Sequence, residues 1–222
     1  MIRAILFDAT GTLMRLPRGV GWHYRQVAAR HGPDLDEARV NAAFYAAFAA
    51  APPRPATGGP RPDDDKPWWR DLVRDILGRC GAEPAGAAFS AMFEELYAHF
   101  AKPGVWALYP EAEGVLRELK GRYRLAVVSN FDRRLYAIFD HLGIRDYFDA
   151  IIVSSETGAD KPDPQIFTAA LTALGVSPGE TLHVGDDPDL DWRGAEAAGL
   201  RAFRLDRPSN SLADLPAYLA NL

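Results

Sequence analysis

The sequence predicts an α/β fold in which an open parallel sheet, flanked by helices on both faces, carries an all-helical insertion. Three observations point to it. Short apolar runs alternate with helical patterns from residue 102 onward, one further apolar run opens the chain, and residues 15–101 hold helical patterns without a convincing strand.

The first strand is expected over residues 2–7. Four helices follow, at 24–31, 37–51, 68–80 and 89–100, rich in Ala, aromatic residues and Arg. Between the second and third, residues 52–65 contain five prolines and two glycines in fourteen positions. That density excludes regular structure and predicts a mobile loop or linker, with Asp63, Asp64 and Asp65 as a solvated run. The remaining strands are expected at 124–129, 150–154, 181–185 and 201–205, short apolar runs of the kind buried on both faces of a parallel sheet. Leu135, Ile138, Phe139 and Leu142 fall at i, i+3, i+4 and i+7, with Asp132 before them and Gly143 after. Asp163 and Pro164 open the next helix as N-cap and first residue, and Gly175 closes it. The domain division expected is 1–14 with 104–222 for the α/β core and 15–103 for a helical domain, hinged near residues 15–19 and 102–104.

Composition narrows the function classes. The chain has 222 residues, 48% of them hydrophobic and 25% charged, an ordinary globular balance. Its net charge of −5 is not the basic footprint of a nucleic-acid reader. The single cysteine, Cys80, excludes a disulfide framework and fits a reducing cytosol. The N-terminus reaches Asp8 after too few apolar residues for a signal peptide or a membrane span. A cytoplasmic protein is therefore expected, a monomer or homodimer with neither nucleic acid nor membrane as partner.

Four constellations lie just beyond predicted strands, where open α/β sheets bind ligands. The first is Phe7-Asp8-Ala9-Thr10-Gly11-Thr12-Leu13, with a carboxylate, a glycine for a sharp turn and a hydroxyl at Thr12. The second, Ser129-Asn130, puts a hydroxyl and an amide just before a helix, an anion-binding combination or a plain N-cap. The third sets Lys161 just before Pro162 and Pro164, a fixed place for a cation unless it is a solvated surface lysine. The fourth, Gly185 to Asp191, holds Asp186, Asp187, Asp189 and Asp191 within six residues. Carboxylates that close repel one another unless a cation is present, and all-oxygen ligands favour a hard one such as Mg²⁺. No Gly-x-Ser-x-Gly elbow or P-loop wording occurs. His183, inside a predicted strand, reads as a packed core histidine.

In order and spacing these four segments resemble the motifs of the haloacid dehalogenase-like hydrolase superfamily. Asp8–Thr12 is similar to motif I, Ser129 to motif II, Lys161 to motif III and Gly185–Asp191 to motif IV. The stretch from Gly158 to Phe167 resembles the wording of the subfamily with a helical cap after motif I. The resemblance covers the core; in residues 15–103 it is one of placement and helical character. It implies a Rossmann-like three-layer core with a cap domain, and Asp8 as a nucleophile that forms an aspartyl-phosphate. It further implies Mg²⁺ held by Asp8, the Thr10 carbonyl and Asp186, and phosphoryl oxygens bound by Thr12, Ser129, Asn130 and Lys161. Asp191 and Asp187 would orient Lys161 or a metal-bound water. The implied substrate is a small phosphorylated metabolite, with Tyr24, Arg25, Trp68 and Arg70 as candidates for selecting it.

One position departs from the family's phosphatases, which read Asp-x-Asp where this chain has Asp8-Ala9-Thr10. The second Asp serves as general acid and base, a contribution of about 10²–10⁴-fold. Thr at this position is shared with the family's ion-pumping ATPases, where a lasting aspartyl-phosphate is useful. Two alternatives follow: a catalytically impaired binding or regulatory protein on the same fold, and a 2-haloacid dehalogenase, which also lacks the second Asp. Against the latter, dehalogenases usually lack the Gly-Asp pair seen here at Gly185-Asp186.

Overall fold

In a computed structural model that describes residues 1–82 and 85–222, the chain divides into two compact units. One comprises Met1–Arg15, Pro55–Asp64 and Trp106–Leu222, the other Leu16–Arg54 and Asp65–Val105. The strands are β1 (Ala4–Phe7), β2 (Met14–Arg15), β3 (Ala107–Leu108), β4 (Arg124–Ser129), β5 (Ala150–Val153), β6 (Thr181–Gly185) and β7 (Arg201–Arg204). Helices α1 (Val20–Ala28), α2 (Glu37–Ala50), α3 (Lys66–Arg79) and α4 (Gly86–His99) belong to the second unit. Helices α5 (Ala112–Leu119), α6 (Arg134–Leu142), α7 (Ser154–Thr157), α8 (Pro164–Leu174), α9 (Gly194–Ala197) and α10 (Leu215–Ala220) belong to the first. Among the described residues no helix is long and apolar enough to cross a membrane.

The first unit is built on a five-stranded sheet in the order β5-β4-β1-β6-β7, parallel throughout. Side chains alternate across it, so each strand feeds two cores. Ile5, Phe7, Leu125, Val127, Leu182 and Val184 pack on one face with residues of α5, α6 and α10. Ala4, Leu6, Ala126 and Val128 pack on the other with Ile166, Phe167 and Ala170 of α8. Burying each large side chain contributes roughly 1.5–3 kcal/mol, which holds the strand ends in a fixed frame. β2 and β3 form a separate antiparallel pair, Met14 opposite Leu108. Sequence periodicity does not reveal strands of two residues.

The second unit is helical. Leu72, Val73, Ile76 and Leu77 of α3, and Phe89, Met92, Phe93 and Leu96 of α4, lie at helical spacing and are buried against Val27, Val40 and Ala47. The Asp36 carboxylate accepts the Arg39 N–H at the start of α2, an N-cap bond.

Residues 52–65, expected as a mobile linker, are instead pinned. The Thr57 N–H donates to the Gly158 carbonyl at 3.0 Å and the Arg61 N–H to that of Ser155 at 2.7 Å. Asp64 accepts from the Ser155 hydroxyl at 2.5 Å and the Arg133 N–H at 2.9 Å, and Arg61 pairs with Asp160 at 3.1 Å. Asp65 is buried, its carboxylate 3.8 Å from the Arg54 guanidinium. Prolines exclude a long helix or strand here, leaving only the short 3-10 turn Pro62–Asp65, but they also reduce the entropy lost on docking, so the segment still packs in one place.

Candidate active site

The site is built by strand ends at the middle of the sheet. β1 lies between β4 and β6, with Phe7 paired to both Val127 and Val184. Asp8 therefore emerges at the carboxyl end of the central strand, its N–H bonded to the Val184 carbonyl at 2.9 Å. Ser129 ends β4, and Asp186 follows the last residue of β6. Asp8, Thr10, Ser129, Asn130, Lys161 and Asp186 line a cavity of about 180 Å³.

Lys161 is the organising charge. Its ammonium donates to Asp8 Oδ1 and to Asp191 Oδ1, each at 2.6 Å, with the lysine itself 3% exposed. The ligand oxygens of Asp8, Asp186 and Asp191 lie within 4.8 Å of one another. Three carboxylates thus face one cation. Burial pushes Asp8 up to about 7, against the pull of Lys161 and with Asp191 and Asp186 adding to the rise. Burial, then the Asp191 charge, raises Asp186 as well. Asp191 goes the other way: burial opposes it, yet Lys161 and His183 hold its carboxyl well below the usual range. Burial would discharge Lys161, but the two carboxylates raise it and keep it charged.

This donor set fits a hard divalent cation. Asp191 is the most heavily engaged of the three, since Oδ1 accepts from Lys161 and His183 and Oδ2 from the Asp187 N–H. Asp8 and Asp186, both raised by burial and then by neighbouring carboxylate charge, are the pair whose charge a bound cation would stabilise.

Thr12, Asn130 and Asp187 each have partners within the protein. Thr12 is fully buried, and its hydroxyl lies 3.3 Å from Asp186 Oδ1 instead of facing the cavity. Gly11, at φ +90°, makes that turn and lets Asp186 pass close: a Cβ on it would lie 2.2 Å from Asp186 Oδ2. Asn130 lines the cavity, but its amide is committed to the Lys161 backbone, Oδ1 accepting the N–H at 2.6 Å and Nδ2 donating to the carbonyl at 2.9 Å. Asn130 therefore holds the backbone of Lys161 in place. The Asp187 carboxylate accepts from the Asp189 and Leu190 N–H groups and caps the π-helical turn Pro188–Arg193. Asp191 contacts Lys161 directly, and Thr10 is exposed at the rim with a bridge to Met14.

His183, expected as plain core, touches this constellation. Its Nε2 lies 2.8 Å from Asp191 Oδ1, and burial lowers its pKa against the pull of that carboxylate. A histidine in the middle of a buried strand was the one available signal.

Similarity to known proteins agrees with the geometry. The family model for haloacid dehalogenase-like hydrolases matches residues 2–199. A Bos taurus relative named haloacid dehalogenase-like hydrolase domain-containing protein 3 is 36% identical over 209 residues, 93% of this chain and 83% of that protein. A phosphoserine phosphatase of Thermus thermophilus is 38% identical over 142 residues, 63% of this chain and 57% of that one. Among solved structures, the L-2-haloacid dehalogenase of Xanthobacter autotrophicus is similar at TM-score 0.71 and 26% identity, over 99% of this chain and 83% of that one. With Asp8, Ser129, Lys161 and Asp186 gathered at the carboxyl ends of a parallel sheet, the chain belongs to the haloacid dehalogenase-like hydrolases.

Proposed function

We propose that this hydrolase is a Mg²⁺-dependent phosphatase that acts on a small phosphorylated metabolite through an aspartyl-phosphate on Asp8. The observation that carries this reading is the trio Asp8–Lys161–Asp191 at 2.6 Å contacts, beside Asp186 in a cavity of about 180 Å³. A carbon electrophile needs no such excess of carboxylates, whereas a phosphate dianion approaching a carboxylate needs cations between them. The similarity to a phosphatase over 142 residues supports the same choice. When bound, Mg²⁺ would be held by Asp8, Asp186 and the Thr10 carbonyl and would neutralise nucleophile and phosphoryl oxygens together.

The residues then divide the work. The Asp8 oxygen not engaged by Lys161 attacks phosphorus, forming the Asp8 O–P bond as the bond from phosphorus to the leaving oxygen breaks. Lys161 and the Ser129 hydroxyl bind phosphoryl oxygens, while Asn130 and Asp191 keep the lysine in position. Water then attacks the aspartyl phosphorus, releasing inorganic phosphate and restoring the carboxylate. Thr10 supplies no proton to the leaving group and takes none from the water, so acyl and aryl phosphates, whose leaving groups need little protonation, react best. The helical unit takes the part of a cap that selects substrate.

The 26% identical dehalogenase structure favours a second reading, attack by Asp8 on the carbon of a 2-haloacid. One assay separates the two. Phosphate release from p-nitrophenyl phosphate and acetyl phosphate, with Mg²⁺ and not with EDTA, is expected from wild type and absent from Asp8→Asn. Chloride release from L-2-chloropropionate without phosphate release would establish the dehalogenase. Neither release would leave a fold kept for binding.

A further inference from the structure

The face of the sheet that carries Ala4, Leu6, Ala126 and Val128 is apolar and packs on α8. β6 places two polar residues on it: Thr181, whose hydroxyl donates to the Ser177 carbonyl at 2.9 Å, and His183, which pairs in register with Leu6 and is wholly buried, edge-on to the Phe167 ring at 5.2 Å between centroids. A buried imidazole that merely filled space would satisfy its nitrogens on nearby backbone or be replaced by a hydrocarbon. Instead Nε2 meets Asp191 Oδ1 at 2.8 Å, the same oxygen that accepts the Lys161 ammonium at 2.6 Å. Facing a carboxylate, Nε2 carries the proton; Nδ1 then holds the lone pair and, among the described residues, has no partner.

Asp191 is thereby gripped at both oxygens, since Oδ2 accepts the Asp187 N–H at 3.0 Å. On the other side, Gly185 comes so close that a Cβ there would lie 2.2 Å from Asp191 Cγ. These contacts fix the plane of the carboxylate and hence the point from which Lys161 is drawn toward Asp8. We infer that His183 is a positioning residue: its Nε2–H locks Asp191 Oδ1 so that the Lys161 ammonium is held on Asp8 Oδ1. The inference rests on the phosphatase reading only for its catalytic consequence. The geometry it asserts exists in the resting protein.

Gln and Met are close in shape, and only Gln can donate a hydrogen bond where Nε2 does. His183→Gln and His183→Met therefore separate donation from packing. Two readouts are taken: the ¹⁵N-detected ammonium resonance of Lys161, assigned by its loss in Lys161→Arg, and steady-state kinetics on p-nitrophenyl phosphate. The expected result is a slowly exchanging Lys161 signal in wild type and His183→Gln that vanishes in His183→Met. In parallel, kcat falls about 10–100-fold in the Met variant with KM within about threefold, and recovers in the Gln variant, the scale seen when outer-shell partners are removed. An unchanged Lys161 signal and equal kcat in both variants would overturn the inference. Should His183→Met fail to fold, the wild-type imidazole ¹⁵N spectrum decides: a proton on Nε2 supports the assignment and one on Nδ1 refutes it. A donor-dependent Lys161 signal in a protein that hydrolyses no phosphate would leave the positioning intact and refute the phosphatase.

Discussion

Lys161 stands between two buried carboxylates, 2.6 Å from each, and its removal leaves Asp8 and Asp191 facing one another without a cation. Breaking a buried ion pair by deleting one partner costs about 3–5 kcal/mol. Lys161→Met is expected to lose stability on that scale in urea unfolding with EDTA present, and to release no phosphate. A loss below about 1 kcal/mol would show that the lysine is not paired as described. Thr10 makes the opposite experiment possible. Thr10→Asp restores a carboxylate at the cavity rim and is expected to raise turnover of alkyl phosphates by about 10²–10⁴-fold, with much less effect on acetyl phosphate. Equal gains on both would place the slow step elsewhere. At this scale the sequence was legible where a residue type has few uses: Asp8 and Asp186 follow strands, Lys161 follows the short helix α7, and the chemistry of each narrows its role. The partners of Thr12, Asn130 and Asp187 within the protein were not legible, because hydroxyls, amides and surplus acids serve backbone and carboxylates as readily as ligands. Only the turn at Gly11 and the backbone of Lys161 decide which.

The core strands were legible as apolar runs, and β1, β4 and β6 bring the site together because strand order is not sequence order. The pair β2–β3 and the docked residues 55–64 were not, since neither carries a periodic signal and their order comes from contacts distant in sequence. Helices α1 and α4 make a pH-dependent contact. His23 Nδ1 lies 3.0 Å from His99 Nε2; burial, helped by His99, depresses His23 to about 4, and burial with the Lys102 and Arg30 charges lowers His99 as well. The unfolded chain binds a proton near pH 6.5 that folded His23 refuses until about 4. Stability of this unit is therefore full above about pH 6.5 and declines as pH falls toward 4. Thermal unfolding between pH 7.5 and 4.5 is expected to show a steeper loss for wild type than for His23→Gln. Parallel losses would remove the pair from the account.

Across the whole molecule, three carboxylates around one lysine make the site costly to keep without a second cation. Ligand linkage converts that into a measurable gain: a divalent cation at one hundred times its dissociation constant adds about 2.7 kcal/mol. For a chain of this size that is on the order of 5–10 °C in Tm. Mg²⁺ is expected to raise Tm on this scale in wild type and by far less in Asp186→Asn; an equal rise in both would place the ion elsewhere. The central claim is that Asp8 becomes phosphorylated and that Thr10 slows the release. It is tested most directly by acid-quenching the protein during turnover of acetyl phosphate with Mg²⁺ and locating the adduct by peptide mass spectrometry. A phosphoryl group on the Asp8 peptide, abundant in wild type, scarce in Thr10→Asp and absent in Asp8→Asn, is the predicted result. Steady phosphate release with no adduct, or an adduct on another residue, would contradict it.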